Sequence, residues 1–491
     1  MTTFRLILGD QLFYPLETMD KHCPIIMIEH RDLCANIRYH KLKIAFFFSA
    51  MRHYRDALIQ VGFNVCYIPF DSQENRSFTE VLKANAPGIN TLVVRHIVDA
   101  SFRRVIDTFC MNEGIQLDCL ATPMFLNTTS DVSDYLAATK KPFMKTFYEA
   151  SRKRFNILLD SNGGPIGGQW SYDADNRKKC PLTVLIPKRQ LPERDAITLD
   201  VIGMVNDCFK EHIGDANDLW LPVTRGQALA WWHQFKQDYF NNFGDYEDAI
   251  DTRDPWLFHS GISALLNIGL LTPNEVIDDA IVCLDTVPIN ALEGFVRQVM
   301  GWREFIRGIY DHYNDEQSNA NFWGATRLLN QSWYKGDTGH LPLDDAINGT
   351  MTHAYQHHIG RLMVLGSTMM CCDVHPNQAY QWFMECFVDG AEWVMGPNVY
   401  GMSQFSDGGI FATKPYLCGS NYIRKMSHYG NGEWCDIADG LYWRFIGKHR
   451  SFFEKNYRMR MAVSTLAKMP SEKQQRLNRA ADAFIDRVTE S

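Results

Sequence analysis

No CxxC motif occurs in this chain, and its 13 cysteines are irregularly spaced apart from the neighbours Cys371 and Cys372. That pattern argues against a disulfide scaffold and for free thiols in a reducing cytosol, so a cytoplasmic protein is expected. No run of about 18 apolar residues is present, which excludes a hydrophobic membrane-spanning helix. Met1 to Thr3 lead directly into the strand-like FRLILG, so no secretory leader is expected. GxGxxG is missing, and with it the dinucleotide fingerprint. HExxH is missing too. An excess of positive charge is also lacking: the net charge is −8, so any contact with nucleic acid must come from a local basic face. Basic residues gather at Arg152–Arg154, Arg177–Lys179, Arg424–Lys425 and Lys448–Arg450, each of which can equally be a solvated face.

What is present is mostly ordinary: 46% apolar and 22% charged residues, as in soluble globular proteins. Aromatic residues are the exception, at 13% with 12 tryptophans. At that density they line a planar-ligand pocket, form an electron path, or simply fill a large core. A length of 491 residues is too great for one compact core and implies more than one domain.

Residues 1–130 alternate strand-like runs (4–9, 24–29, 43–49, 64–69, 91–95) with segments of helical spacing such as 50–62. Such alternation predicts a parallel sheet flanked by helices, with ligand sites at the strand C-terminal ends, where Leu8-Gly9-Asp10 falls. Residues 131–222 are polar and broken by NGGPIGG (162–168) and prolines, and read as a connector with some helix around Tyr135–Leu159. From 223 to 491 the spacing is helical throughout. The expected fold class is therefore an α/β domain followed by a large all-α domain.

Four constellations carry chemistry. His259, Ser260 and Ser263 open an apolar helix and suit an anion, although Ser260 also suits a plain helix cap. Gln298, Trp302, Arg303 and Arg307 lie on one otherwise apolar helix; buried arginines need acidic partners, and Glu304 and Asp389 are the candidates. The segment 353–366 places His353, His357, His358 and Arg361 on what reads as a single helix, where a histidine pair four residues apart can hold zinc or act as a general acid. GMSQFSDGGIFATKPY (401–416) is a glycine-punctuated loop with polar side chains.

The motifs LILGDQL (6–12), KIAFFFSAMRH (43–53), PIGGQWSYDADNR (165–177), EGFVRQVMGWREFIRGIY (293–310), HHIGRLM (357–363), NVYGMSQFSDGG (398–409) and TKPY (413–416) together resemble one family nearly end to end. It is the bacterial (6-4) photolyases of the iron–sulfur type, within the photolyase/cryptochrome superfamily. The resemblance implies an α/β antenna domain, a helical domain holding FAD, and light-driven repair of (6-4) lesions in UV-damaged DNA by a monomer. It implies that His259, Ser260 and Ser263 face phosphate, and that Gln298, Trp302 and Arg303 lie beside the flavin. Arg361 and Asp389 would pair against its ring system, His357 and His358 would meet the lesion, and Lys414 and Tyr416 would lie on the DNA side. Gly9, Asp10 and Glu29 match the site of a 6,7-dimethyl-8-ribityllumazine antenna.

Several positions depart from the family pattern. Where four cysteines would hold a cluster, the chain has Pro342, the stretch 428–434 and a lone Cys435, so no 4Fe-4S cluster is expected. Leu33 stands at an acidic antenna position, which leaves lumazine binding open. Met395 stands where a glutamate faces flavin N5. The electron path reads Trp382 with Phe383 beside it, and Tyr334 with Trp333. Repair by a flavoenzyme is the favoured expectation; a blue-light receptor without repair activity is the alternative.

Overall fold

The computed structural model describes residues 2–70 and 76–490. Its first part is a five-stranded, all-parallel sheet built from β1 (Thr2–Leu6), β2 (Ile25–Ile28), β3 (Val65–Ile68), β4 (Ile89–Arg95) and β5 (Gln116–Leu120). The order is β3-β2-β1-β4-β5, so Arg5 of β1 pairs with Ile25 on one side and Val93 on the other. Chain direction reverses outward from β1, and a parallel sheet wound both ways opens a crevice at the carboxyl end of that central strand. The crossover helices are α1 (Lys41–Gln60), α2 (Phe78–Asn85) and α3 (Ala100–Glu113).

One expected strand is helix. Residues 43–49 lie inside α1, capped by the His40 ring, whose Nδ1 accepts from the Leu42 amide. The apolar run misleads because α1 is buried on nearly all sides, from Leu42 through Met51, and a helix buried all round loses its polar face. Conversely, β5 (QLDCL) was not expected. It is an edge strand with little buried side chain, so it lacks the apolar signature.

Residues 131–222, read as a connector, hold most of α4 (Thr129–Ala138) and all of α5 (Met144–Phe155) and α6 (Ala196–Cys208). Val201, Ile202 and Val205 of α6 belong to the same core as Phe46 and Phe48 of α1, and that core continues through Trp231 and Trp232 to Val299 and Met300. A second core gathers Trp333, Trp382, Met395 and Phe445. Ala354 and Tyr355 pack into the first core, Val364 and Leu365 into the second, so residues 356–361 cross from one to the other. Among the described residues no helix is long and apolar enough to cross a membrane.

Candidate functional site

The segment expected as one helix is two. The helix Leu341–His353 stops at Ala354, which takes a left-handed φ of 49°. That conformation is unfavourable for a residue with a Cβ and ends the helix outright. His353 stays behind, its ring 5.3 Å from Trp256. His357 falls in the break. Arg361 lies in the first turn of the next helical stretch, its amide donating to the His357 carbonyl at 3.1 Å.

That stretch, Gly360–Gly366, is a π-helical turn; Arg297–Arg303 and Pro397–Ser403 are two more. Such turns are costly, and they cluster at functional sites because they re-aim side chains. Arg361 forms a two-pronged pair with Asp389, Nη1 to Oδ1 at 2.8 Å and Nη2 to Oδ2 at 3.1 Å. The Ser263 hydroxyl donates to Asp389 Oδ2 at 2.6 Å, and the Asn267 amide donates to the Asp389 carbonyl at 3.0 Å. Burial pushes the Asp389 carboxyl upward, yet Arg361 and Ser263 together hold it below the usual range. The other side of the Arg361 guanidinium lies 4.0 Å from the Phe387 ring centroid.

Arg303 takes neither expected acidic partner. It donates to Asn267 Oδ1 at 2.5 Å and stacks over Trp393, 4.7 Å from the ring centroid. Burial lowers its pKa to about 10, and its Nε has no partner. Glu304 instead accepts from the Leu126 and Asn127 amides and the Asn127 side chain, while Arg307 donates to the Asn127 carbonyl and pairs with Asp311. Trp302, half-buried, packs 6.3 Å from Phe305. Gln298 donates to Glu247, which also pairs with Arg297 at 3.5 Å. Arg297 and Glu247 were not singled out from sequence. A third arginine on a buried helix, with an acidic run at 245–251, was the available signal.

Ser260 does not cap the following helix. That helix, Ser263–Ile268, has Ile262 at its N-cap and no side-chain cap, while the Ser260 carbonyl accepts from Trp231. His259 turns toward the histidine break: its ring stacks on His357 with centroids 4.8 Å apart and planes 8° apart. Its Nε2 meets the Glu247 carbonyl at 3.0 Å, and burial with its two histidine neighbours holds its pKa well below the ordinary value. His357 is buried, its Nδ1 has no partner, and burial with the neighbouring charges lowers its pKa to about 3. His358 is different. Its side chain is 43% exposed and its Nε2 lies 3.1 Å from Asp248 Oδ1. Desolvation opposes its charge, but the Asp248 hydrogen bond and the nearby Glu247 charge outweigh that and raise its pKa. The corner therefore holds two neutral imidazoles beside one that protonates readily.

Lys414 and Tyr416 are half-buried on an irregular loop tied down by Asn456, whose side chain donates to the Thr413 carbonyl at 3.3 Å. Burial lowers the Lys414 pKa, and Arg458 and Arg177 add to the effect, so the loop sits in a local basic field despite the acidic whole. Burial raises that of Tyr416.

Trp382 and Trp333 are fully buried, with ring centroids 6.4 Å apart, and the Trp382 indole donates to the Trp333 carbonyl at 3.0 Å. Phe383 and Phe387 lie 5.5 and 5.9 Å from Trp382, so aromatic contacts run from Arg361 through Phe387 to the tryptophan pair. Tyr334 is half-buried, donating to Glu385 at 2.9 Å beneath Arg38. Met395 is buried in the same core as the tryptophans.

The crevice at the sheet's carboxyl end is a cleft of about 1080 Å³, its open mouth included. Gly9, Asp10, Leu33, Lys43, Asp99 and Phe102 line one side, and Asn267, Asp389 and Trp393 the other. Burial pushes Asp10 up to about 6 and Lys43 down to about 7. Glu29, expected to bind ligand there, does not line it. Its carboxylate receives Arg52 Nε at 2.7 Å and Nη2 at 3.0 Å, the Tyr67 hydroxyl and the Phe70 amide. A buried carboxylate so fully donated to has a structural task.

At the positions where the resemblance implies a cluster, Pro342 is buried in the first turn of its helix and Cys435 packs with Cys418, Tyr429, Trp434 and Ile423. His340 and Tyr429 lie 5.7 and 6.1 Å from the Trp434 ring, and Tyr429 donates to Asp345 at 2.7 Å. Packed indole, phenol and imidazole rings with Cys418 and Cys435 alongside do not make a four-thiolate site.

Comparison with known proteins agrees with this geometry. The family model "Deoxyribodipyrimidine photo-lyase-related protein" matches residues 5–221. A bacterial class III photolyase structure from Agrobacterium tumefaciens superimposes with a TM-score of 0.58 at 15% identity, covering 99% of this chain and 97% of that one. A Synechocystis cryptochrome gives a TM-score of 0.54 at 12% identity, covering 99% of each chain. An archaeal photolyase from Sulfolobus tokodaii, solved with two FAD molecules, gives 0.53 at 14%, covering 98% of this chain and 100% of that one. The fold is that of the photolyase/cryptochrome class. A (6-4) photolyase from Agrobacterium fabrum is 33% identical over 507 residues, spanning 99% of this chain and all of the relative. The chain belongs to the bacterial (6-4) photolyase and cryptochrome-like family.

Proposed function

We propose that the protein is a light-dependent (6-4) DNA photolyase that uses FAD. The observation that carries this reading is the histidine corner: a neutral His357 beside a His358 that Asp248 holds in a protonatable state. A proton donor at that position suits repair of a (6-4) lesion and has no use in a light sensor.

The donor set fits a flavin. Arg361, Ser263, Asn267 and Arg303 converge around Asp389, and buried nitrogens at Arg303 Nε and His357 Nδ1 are left without protein partners. A bound ligand is one way to satisfy buried polar atoms that the protein leaves unpaired. The reduced flavin, when bound, supplies the light-driven electron. Arg361, Asp389 and the Ser263 hydroxyl would hold its polar edge, with the His259–Ser260 turn toward the phosphates. His358 keeps Nε2–H on Asp248 and presents Nδ1–H to the lesion. Lys414 and Tyr416 meet DNA, which a lesion flips into the pocket at reduced cost because it is already poorly stacked. In the same reading the cleft beside Gly9 and Asp10 takes an antenna chromophore of the lumazine class, with Asp10 as a polar lining group and Leu33 in place of the acidic residue.

Reversal of a (6-4) oligonucleotide by the reduced, illuminated protein tests the proposal, and complete absence of repair with FAD bound would sink it. Met395 favours the second reading, a photoreceptor, because a thioether at the flavin N5 position changes which radical is stable; that outcome is the one a repair-negative protein would support.

Two further results are expected. Protein purified without oxygen should contain no stoichiometric iron, whereas about four irons per chain would overturn the assignment of the Pro342 and Cys435 region. Trp382→Phe should slow photoreduction of bound FAD at least tenfold, with Trp333→Phe acting in the same direction. Unchanged photoreduction in both would place the electron path elsewhere, and the Tyr380–Tyr400 stack, 5.1 Å between centroids, is the next candidate.

A further inference from the structure

We propose that His259, His357 and His358 form a binding site for one zinc-class divalent cation, and that an occupied site closes the lesion pocket. The inference deepens the repair reading, because it takes the same two histidines.

A ring nitrogen of each of the three lies within 4.8 Å of the others. Proximity alone is weak, so the remaining nitrogens matter more. His259 Nε2 lies 3.0 Å from the Glu247 carbonyl, which can only accept, so that nitrogen carries the hydrogen and Nδ1 keeps its lone pair. His358 Nε2 lies 3.1 Å from Asp248 Oδ1, so in the neutral ring Nδ1 likewise keeps its lone pair, and a cation bound there displaces the proton that the repair reading places on it. A backbone carbonyl and a carboxylate behind the rings are the partners that ordinarily orient metal-binding histidines. His357 is 93% buried, at 7% exposure, and its Nδ1 has no hydrogen bond at all. An imidazole nitrogen left bare in a buried side chain points to a ligand that the protein itself does not supply.

Three imidazoles suit zinc, copper or nickel, and do not suit magnesium or calcium, which want oxygen. Bonds of about 2.0–2.1 Å bring tetrahedral ligand nitrogens to about 3.4 Å apart, so nitrogens up to 4.8 Å apart must close by up to about 1.4 Å. His357 lies in the break between two helices and His358 is half-exposed, so both can adjust by ring rotation. The exposed side of His358 leaves the fourth position open to water. With both lesion histidines engaged, cation and lesion exclude each other.

The test uses tag-free, FAD-loaded protein titrated with ZnCl2 by calorimetry, and with CoCl2 while following the visible ligand-field bands of the cobalt. One cation per chain is expected. His357→Ala and His259→Ala should each weaken binding at least tenfold, and Asp248→Asn about tenfold by releasing His358. His22→Ala, on the exposed surface, should change nothing. FAD absorbance and circular dichroism verify that each variant is folded, and Asp248→Asn keeps the test alive should the alanine variants lose FAD. Saturating zinc should lower affinity for a (6-4) oligonucleotide at least tenfold in the parent protein and not in His357→Ala. Absence of stoichiometric binding, or binding undiminished in His357→Ala and Asp248→Asn, overturns the site. Metal binding is read without lesion or light, so its failure leaves the repair reading standing, and a failed repair assay leaves the metal result interpretable.

Discussion

Arg361→Ala should yield protein that emerges from purification without FAD, as read by the ratio of flavin to protein absorbance. The substitution removes one side of a two-pronged buried pair and leaves Asp389, among the described residues, with the Ser263 hydroxyl as the remaining side-chain donor to its carboxylate. Breaking a buried pair from one side costs about 3–5 kcal/mol, because the remaining charge is stranded rather than merely unpaired. That is a large fraction of the stability of a domain. Asp389→Asn should do comparable damage from the other direction, leaving the guanidinium against Phe387 without its anion. Arg361→Lys separates charge from geometry: one ammonium cannot make both contacts, so intermediate FAD retention is expected. Ser263→Ala, which removes a single hydrogen bond, should cost only about 1 kcal/mol. FAD retained at full stoichiometry in Arg361→Ala would show that the pair is structural and that the flavin contact lies elsewhere.

The parts of this molecule that were legible from sequence are those where local pattern and tertiary environment agree. Strands β1, β2, β3 and β4 are apolar runs bounded by polar turns, and all four form. The run 43–49 breaks the rule because α1 is enclosed on nearly every side, and enclosure erases the periodicity that distinguishes helix from strand. The resemblance implies a pairing of Arg361 with Asp389 against the flavin, and the two side chains do form an ion pair. The break at Ala354 was not visible, since nothing in HAYQHH signals a left-handed residue; alanine is an ordinary helix former, and the packing of Ala354 and Tyr355 into one core while Val364 and Leu365 enter the other overrides it. Asp248 was missed for a similar reason. It lies 110 positions from His358, and only the fold brings the carboxylate to the ring. Glu29, which the resemblance assigns to the antenna site, has its carboxylate enclosed by Arg52, Tyr67 and the Phe70 amide, contacts that only the fold brings together.

Repair should fall as pH rises through the folded-state pKa of His358, and that fall should move to lower pH in Asp248→Asn. The sign follows from which form acts. A proton donor works only when protonated, so activity is present below its pKa and lost above it. Asp248 and Glu247 raise that pKa above the ordinary histidine value near 6.5, which keeps the donor charged further into the neutral range. Removing the Asp248 charge leaves desolvation as the dominant influence, and desolvation lowers a histidine pKa. Repair by Asp248→Asn should therefore persist at acid pH and be depressed at neutral pH. His358→Ala should lower single-turnover repair by about 10²–10⁴-fold at every pH, the usual worth of a positioned general acid. His357 predicts a different profile: burial drives its pKa to about 3, so it remains neutral throughout the working range, and His357→Ala should reduce the amplitude of repair without moving its pH midpoint. A parent protein whose repair rate is flat with pH, together with an Asp248→Asn profile that superimposes on it, would remove His358 as the donor. A midpoint that shifts in His357→Ala and stays put in Asp248→Asn would exchange the roles of the two histidines.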